Sequence, residues 1–230
     1  MALYTISDLH LSLGNPEKSM EIFPGWKNYL EILKKNWISS ISEEDTVVIC
    51  GDISWSMRLE DSFKDFEFLN SLPGKKILLK GNHDYWWSTS KKLNEFLDEN
   101  GFKNFKILHN NCIESQGYCI CGTRGWTSKD TDEHDIKMVD REIIRLGLSI
   151  NSRTNLDLPL VVFFHYPPFY FGEKTKMIDF LCSNGVKYCY YGHVHSKDSS
   201  KYACTCVVKG IHCELISADY LKFKPKLVCS

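Results

Sequence analysis

The sequence lacks a strong excess of either charge. It holds 28 Lys and Arg against 29 Asp and Glu, a formal net charge of -1. A protein that grips nucleic acid or an anionic membrane by electrostatics normally carries a basic surplus, so this balance argues against both as principal partners. Long hydrophobic runs are also missing. The stretch from Leu158 to Phe164 is broken by Pro159, and nothing approaches the ~20 apolar residues of a bilayer span. No basic and then hydrophobic leader is visible. Ala2 to Ser7 already reads as a strand, which points to a cytoplasmic protein. Proline is sparse, at 7 residues, and no Pro/Ser linker, repeat or low-complexity tract divides the chain. The expectation for 230 residues is one domain spanning 1–230. A hydrophobic share of 43% and a charged share of 25% fit an ordinary globular protein with a sizeable core.

Cysteine is abundant, at 10 residues. Its spacing nevertheless excludes a zinc ribbon, because Cys119-x-Cys121 and Cys204-x-Cys206 lack the C-x₂₋₄-C interval. Most of the cysteines lie in apolar, strand-like runs, such as Cys50 in TVVIC. Free, buried thiols in a reducing compartment are expected.

Strands and helices alternate through the first two thirds. Strands are predicted at Ala2–Ser7, Thr46–Cys50, Lys76–Leu79, Leu160–Phe164 and Val186–Tyr191, with shorter ones at 105–108, 112–115 and 118–122. Helices are predicted at Trp26–Ile41, Leu59–Leu72 and Ser90–Asn100, over about twenty residues from Thr131, and at Lys174–Ser183. From Lys201 the chain reads as all-β, with strands at Tyr202–Val208, Ile211–Ser217 and Tyr220–Val228. The pattern is an α/β domain with helices outside its strands.

The informative residues stand where strands end. Asp8-Leu9-His10, Gly51-Asp52, Gly81-Asn82-His83-Asp84, His165 and Gly192-His193-Val194-His195 each follow one of five predicted strands. Ligand crevices of α/β sheets lie outside the carboxyl ends of the strands, so these groups would converge if the strands are neighbours. Each block alone is weak, but five of the eight histidines fall in these blocks. Asp8, His10, Asp52, Asn82, His165, His193 and His195 offer oxygen and nitrogen ligands without a thiolate. That set suits Mn, Fe, Zn or Mg, with Mn foremost. Seven ligands are too many for one tetrahedral ion and fit two divalent ions, ~3.5–4 Å apart, bridged by one carboxylate. Two such ions against the carboxylates of Asp8 and Asp52 leave a formal positive surplus, which suits a bound phosphate.

In order and spacing these blocks resemble the calcineurin-like metallophosphoesterase superfamily, whose pattern runs D-x-H, G-D, G-N-H-[DE], H and G-H-x-H. The strings GDISWSM, GNHDYWW and GTRGW further resemble a group of bacterial predicted phosphohydrolases within it. The G-D block departs from the G-D-x-x-D-R-G of Ser/Thr protein phosphatases, since Arg58 comes two positions too late. The resemblance implies a two-sheet β-sandwich flanked by helices, a four-layer αββα fold. It implies that Asp8, His10 and His195 bind one metal, that Asn82, His165 and His193 bind the other, and that Asp52 bridges them. It assigns His83 as proton donor to the leaving group.

The chemistry then expected is hydrolysis of a phosphomonoester or phosphodiester by a hydroxide bridging the two ions. Asp84 is placed beside His83 as a group that holds it charged, or as a plain turn carboxylate. Arg124, after a strand, is a candidate clamp for a phosphate oxygen. Trp55, Tyr85, Trp86, Trp87, Trp126, Tyr166, Phe169, Tyr170 and Phe171 crowd the same loops. Most are expected to pack the loops, and some to stack on a base, so the substrate is a small phosphorylated molecule with a nucleotide among the candidates. The alternatives are a non-catalytic scaffold on the same fold and a DNA-repair-type nuclease.

Overall fold

The computed structural model describes residues 1–127, 133–169, 175–195 and 205–228. Among them are eleven strands and five α-helices. The first half contains β1 (Leu3–Ile6), α1 (Tyr29–Ser40), β2 (Thr46–Cys50), α2 (Phe63–Asn70), β3 (Lys75–Leu79), α3 (Ser90–Glu99), β4 (Phe105–Ile107), β5 (Ile113–Ser115) and β6 (Tyr118–Thr123). The second half contains α4 (Glu133–Asn151), β7 (Leu160–Phe164), α5 (Lys176–Ser183), β8 (Tyr188–Tyr191), β9 (Thr205–Val208), β10 (Ile211–Leu215) and β11 (Lys226–Leu227).

The strands form two sheets. One has the order β11-β1-β2-β3-β4 and the other β5-β6-β7-β8-β10-β9. The central pairs β1–β2, β2–β3, β6–β7, β7–β8 and β8–β10 are parallel, and only edge strands run antiparallel.

Alternate residues of each central strand enter different cores, as the period of two requires. Val47 and Ile49 face α1, α2 and α3 together with Leu33, Trp37, Phe66 and Leu93. Val48 and Cys50 face the other sheet, where they meet Ile120, Val161, Phe163 and Tyr190. Val162 and Phe164 face α4 and α5 with Leu146, Ile150, Ile178 and Leu181. The result is the four-layer αββα sandwich. Strands buried on both faces read as unbroken apolar runs, which is why TVVIC and LVVFF carry no polar alternation.

Local chemistry sets the helix ends. Thr89 caps α3 by accepting the Lys92 N–H at 3.3 Å, and Thr175 caps α5 by accepting the Ile178 N–H at 3.3 Å. The segment predicted as one helix over Leu59–Leu72 begins as a 3₁₀ turn, Glu60–Ser62, before α2. The starts predicted for two helices, Thr131 and Lys174, lie outside the described residues, as do 202–204 of one predicted strand.

The strand predicted over Tyr220–Val228 is corrected: only Lys226–Leu227 pairs, with β1. Residues 218–224 form turns instead, with Leu221 N–H donating to Ser217 O at 2.9 Å and Phe223 N–H to Ala218 O at 2.6 Å. Lys222 and Phe223 take left-handed φ of 54° and 58°. This geometry swings the Phe223 ring into the first core, against Trp26 at 5.1 Å between centroids. Burial of one aromatic ring outweighs the β propensity of the stretch.

All eight cysteines among the described residues are free thiols, and five are buried. No helix among the described residues is long and apolar enough to cross a membrane.

Lys76 is fully buried on β3, facing the helix layer beside Phe105, and its ammonium donates to the Leu72 carbonyl. Burial pulls its pKa from 10.5 to about 8. The unfolded chain therefore binds this proton more firmly than the folded one, and native stability should rise as pH climbs from 8 to 10.5. Lys76→Met should be more stable than the parent at pH 7 by roughly 1–3 kcal/mol, and the gap should narrow across that interval. Thermal unfolding against pH measures it. A gap that stays constant with pH would show that the buried charge is not the cause.

Candidate metal centre

Parallel pairing puts the carboxyl ends of β1, β2 and β3 on one edge of their sheet, and those of β7, β8 and β10 on one edge of theirs. The two edges are stitched together by a bridge between Ser7 and Ser217. Ser7 N–H donates to Ile216 O at 2.9 Å, and Ala218 N–H donates to Ser7 O at 2.8 Å. The five motif blocks therefore meet at one end of the sandwich.

Two glycines make the approach possible. Gly51 has φ +89°, and a Cβ there would sit 2.5 Å from Cα of Gly81. A Cβ on Gly192 would run into Ser7 Oγ and Asp8 Oδ2.

Asp8, His10 and His195 form one group of potential ligands, with ligand atoms mutually within 4.8 Å. Asp8 Oδ2 accepts from His193 N at 2.9 Å and from Ser217 Oγ at 3.0 Å. Its Oδ1 is buried with no partner, and so is His10 Nε2, 4.0 Å away. His195 Nδ1 lies 3.2 Å from Asp219 Oδ1. Asp52, His165 and His193 form the second group. Asn82 Oδ1 sits between its imidazoles, 2.6 Å from His165 Nε2 and 2.9 Å from His193 Nδ1. Asp52 Oδ2 lies between the groups, 3.5 Å from His165 Nε2 and 3.9 Å from His10 Nε2. All seven candidate ligands are thus brought together.

The donor chemistry fits divalent cations. His165 Nδ1 is 3.0 Å from the Cys50 carbonyl, which can only accept, so Nδ1 carries the proton and Nε2 turns a lone pair toward Asn82 Oδ1. Two lone pairs facing each other need a positive charge between them. A proton does not serve at neutral pH, because burial lowers the pKa of His165, that of His10 to about 3 and that of His193 to about 4. Burial, reinforced by the charges of Asp8 and Asp84, pushes Asp52 up to about 9. Burial also works against charge on His195, but its Asp219 bond and the surrounding carboxylates lift it to about 9. Such opposed shifts mark a cluster with too many lone pairs for its protons. The 4.0 Å between Asp8 Oδ1 and His10 Nε2 is also a span that two ligands about 2.0–2.2 Å from one ion can make. His165–Cys50 and His195–Asp219 supply the outer hydrogen bonds that orient metal-bound imidazoles.

His83 stands next to the cluster, half-buried, with its ring 5.9 Å from that of His10 and 4.7 Å from that of Trp55. Its Nδ1 is buried with no partner. Asp84 does not hold it, which corrects that reading. The Asp84 carboxylate is fully buried and accepts from the backbone N–H groups of Gly81 (2.7 Å), Asp52 (2.9 Å) and Ile53 (2.8 Å), and from Trp86 Nε1 (3.1 Å). It ties the Gly51-Asp52 loop to the Gly81-Asn82-His83 loop. Arg124 accepts from the N–H groups of His165 (3.2 Å) and Tyr166 (2.8 Å) through its carbonyl, and its side-chain Nε is buried without a partner.

The aromatic loops mostly pack. Trp55 stacks on His10 at 4.9 Å, Trp86 is buried, and Tyr166 covers His193 at 4.3 Å. Tyr85 is exposed. Tyr170 and Phe171 lie outside the described residues. Asp219, Ser217 and Trp26 escape the sequence reading although they touch the candidate ligands. Asp219 and Ser217 come after the last motif, and Trp26, 5.9 Å from both His10 and His195, reads as an ordinary helix residue.

Asp84→Asn keeps the shape but turns an acceptor into a donor facing backbone N–H groups. It should cost roughly 2–4 kcal/mol of stability, read by urea unfolding at pH 7. A loss under half a kilocalorie would remove the loop-tying role.

The sequence pattern of the family described as calcineurin-like phosphoesterase matches residues 1–197. No curated protein matches the chain in sequence. Solved structures share its fold. A phosphopantetheinyl hydrolase from Mycobacterium tuberculosis is 14% identical, with 99% of this chain and 95% of that one covered and a TM-score of 0.59. A protein of unknown function from Aquifex aeolicus is 18% identical over 98% and 95% of the two chains, with a TM-score of 0.54. A protein from Thermus thermophilus is 11% identical over 98% and 97%, at 0.59. With all five motif blocks inside the matched span, the chain belongs to the calcineurin-like phosphoesterase family.

Proposed function

We propose that this chain hydrolyses a phosphate ester of a small molecule with the help of two divalent cations, manganese foremost. The observation that carries the reading is the pair of ligand groups, Asp8/His10/His195 and Asp52/His165/His193, with orphaned buried lone pairs on Asp8 and His10 of the first. Asp8, His10 and His195 would hold one cation and Asn82, His165 and His193 the other, with Asp52 shared. Cations bound there would supply Lewis acidity toward phosphoryl oxygens and activation of water.

The remaining work falls to side chains around them. His83, whose Nδ1 has no partner among the described residues, would give a proton to the leaving oxygen. Its depressed pKa, caused by burial and by the neighbouring imidazoles, makes it a ready donor once charged. Arg124 would offer a planar set of donors to a phosphate group of the substrate. Trp55 fixes both His10 and His83 by ring contact and keeps water from their faces. A binding scaffold without chemistry would have no need of His83, whose buried nitrogen has no structural partner.

Chelated protein should lose hydrolysis of p-nitrophenyl phosphate or its bis ester and regain it on addition of Mn²⁺. Asp52→Asn should bind less than the parent's two equivalents of Mn²⁺ by metal analysis. Folded, manganese-loaded protein that turns over neither ester would overturn the reading.

His83→Ala should slow an alkyl phosphate by about 10²–10⁴-fold and a nitrophenyl phosphate far less, because a good leaving group needs no proton. An equal loss on both esters would take the donor role away from His83.

A further inference from the structure

Beside the candidate metal centre lies a cavity of about 550 Å³, a volume suited to a small ligand. Its wall is strongly basic. Lys80, Arg124, Arg141 and Arg145 line it with His109, and no carboxylate stands among its described lining residues. These groups come from separate elements. Lys80 follows β3, His109 follows β4, Arg124 follows β6, and Arg141 and Arg145 sit one turn apart on α4.

Among the described residues, the carboxylate bonded to the arginines of this wall is already engaged. Glu142 is fully buried and accepts from Thr123 Oγ1 at 2.5 Å, Gly125 N at 3.3 Å and Arg145 at 2.8 Å, with Arg141 Nε at 3.6 Å. Asp84 also acts on Lys80, so among the described residues three arginines and one lysine face two acids that are both tied up elsewhere. Lys80 and His109 are both close enough to feel the charge of Arg145. Arg124 Nε is buried and has no acceptor among the described residues. Like charges held together in this way cost stability, and a polyvalent anion relieves the cost.

The cavity shares a wall with the metal centre. Lys80 immediately precedes the Gly81-Asn82-His83 block, and the Arg124 carbonyl accepts from the His165 and Tyr166 N–H groups while its side chain lines the cavity. The flat side of Trp87 adds an apolar face. Guanidinium forks bind phosphate oxygens in pairs, which favours a phosphate dianion over a single carboxylate.

We propose that this cavity binds a second phosphate group of the substrate, so that the substrate is a compact molecule with two phosphates, one at the metal centre and one among Arg124, Arg141, Arg145 and Lys80. That the ligand is a substrate rests on the hydrolase reading above; the anion site does not.

The test is calorimetric titration of Mn²⁺-loaded, full-length protein with the non-hydrolysable phosphonate analogues of adenosine 3′,5′-bisphosphate and of adenosine 5′-monophosphate. The bisphosphate should bind at least tenfold more tightly. Arg141→Gln should weaken bisphosphate binding at least fivefold. Arg141 is chosen because Arg145 is the nearer partner of buried Glu142, and the thermal unfolding of the variant checks its fold. Equal affinities for the two analogues, or an Arg141→Gln protein that binds the bisphosphate like the parent, would overturn the site. Phosphate release from the two nucleotides themselves is then followed with Mn²⁺. A firm bisphosphate preference with no release from either nucleotide would overturn the hydrolase reading and keep the anion site. Release without a binding preference would keep the hydrolase reading and overturn the site.

Discussion

Ser7 belongs to one sheet by chain and to the other by hydrogen bonds. Its N–H reaches Ile216 and its carbonyl receives Ala218, while its hydroxyl donates to the Cys50 carbonyl at 2.8 Å. Three strand ends, from β1, β2 and β10, are fixed against each other at this residue. Asp8 follows it directly, and Ser217, across the bridge, donates to the Asp8 carboxylate. Further polar contacts join the sheets at His165–Cys50 and Thr46–Ser115, but the core between them is apolar, and apolar packing sets spacing far less tightly than directional bonds. The candidate centre draws its side chains from both sheets, so its geometry depends on where they are pinned.

The loops beyond the joint carry an energetic cost. Asp8, His10, Asp52 and His193 all have left-handed φ, at 57°, 46°, 50° and 69°. For non-glycine residues this conformation costs about 1–2 kcal/mol each. Hydrogen bonds over-determine the turns: Asp8 N–H to Gly51 O at 3.0 Å, His10 N–H to Asp52 O at 2.9 Å and His83 N–H to Asp52 Oδ1 at 2.8 Å. Turned this way, Asp8 and His10 present their side chains to one space although they are two residues apart in an irregular segment. The crowding of lone pairs that results is unfavourable in its own right, and the neighbouring imidazoles and carboxylates shift each other's protons in opposite directions. A fold that spends backbone strain to gather unfavourably matched groups has a positive ligand in view.

The sheet scaffold was readable because its central strands are buried on both faces, and a run such as LVVFF has no other comfortable place. The motif blocks were readable because each sits at a strand end, where a polar residue after an apolar run is conspicuous. What escaped did so for physical reasons. The stretch 220–228 has strand-forming residues, but Phe223 is worth more in the core than in a ladder. Asp219 supports His195 from a turn with no pattern of its own. Asp84 lies next to His83 in sequence, yet its carboxylate accepts from the N–H groups of Gly81, Asp52, Ile53 and Ser54 and from the Trp86 indole. Neighbours in a turn point in different directions, so adjacency says little about partnership. Arg141 and Arg145 belong to no motif block, and the packing of α4 on β6 is what brings them to the cavity.

Two buried carboxylates separate the charges of the molecule. Asp84 is saturated by backbone and indole donors between the motif loops, and Glu142 by Thr123, Gly125 and Arg145. Neither is left to neutralise what lies next to it. On one side of Arg124, carboxyl groups and imidazoles gather, with unpartnered lone pairs on Asp8 and His10 among the described residues. On the other, guanidinium and ammonium groups gather with donors in excess. Opposite charges this close would pair and cancel if the side chains were free to swing. They do not, because the acids of the first set are held by backbone N–H groups and Ser217, and Arg145 of the second by Glu142. On the proposed reading, a substrate phosphate would be attracted to both regions for different reasons, to cations held in the first and to fixed donors in the second. The wall between them would then set how far apart the two phosphates of one molecule must be.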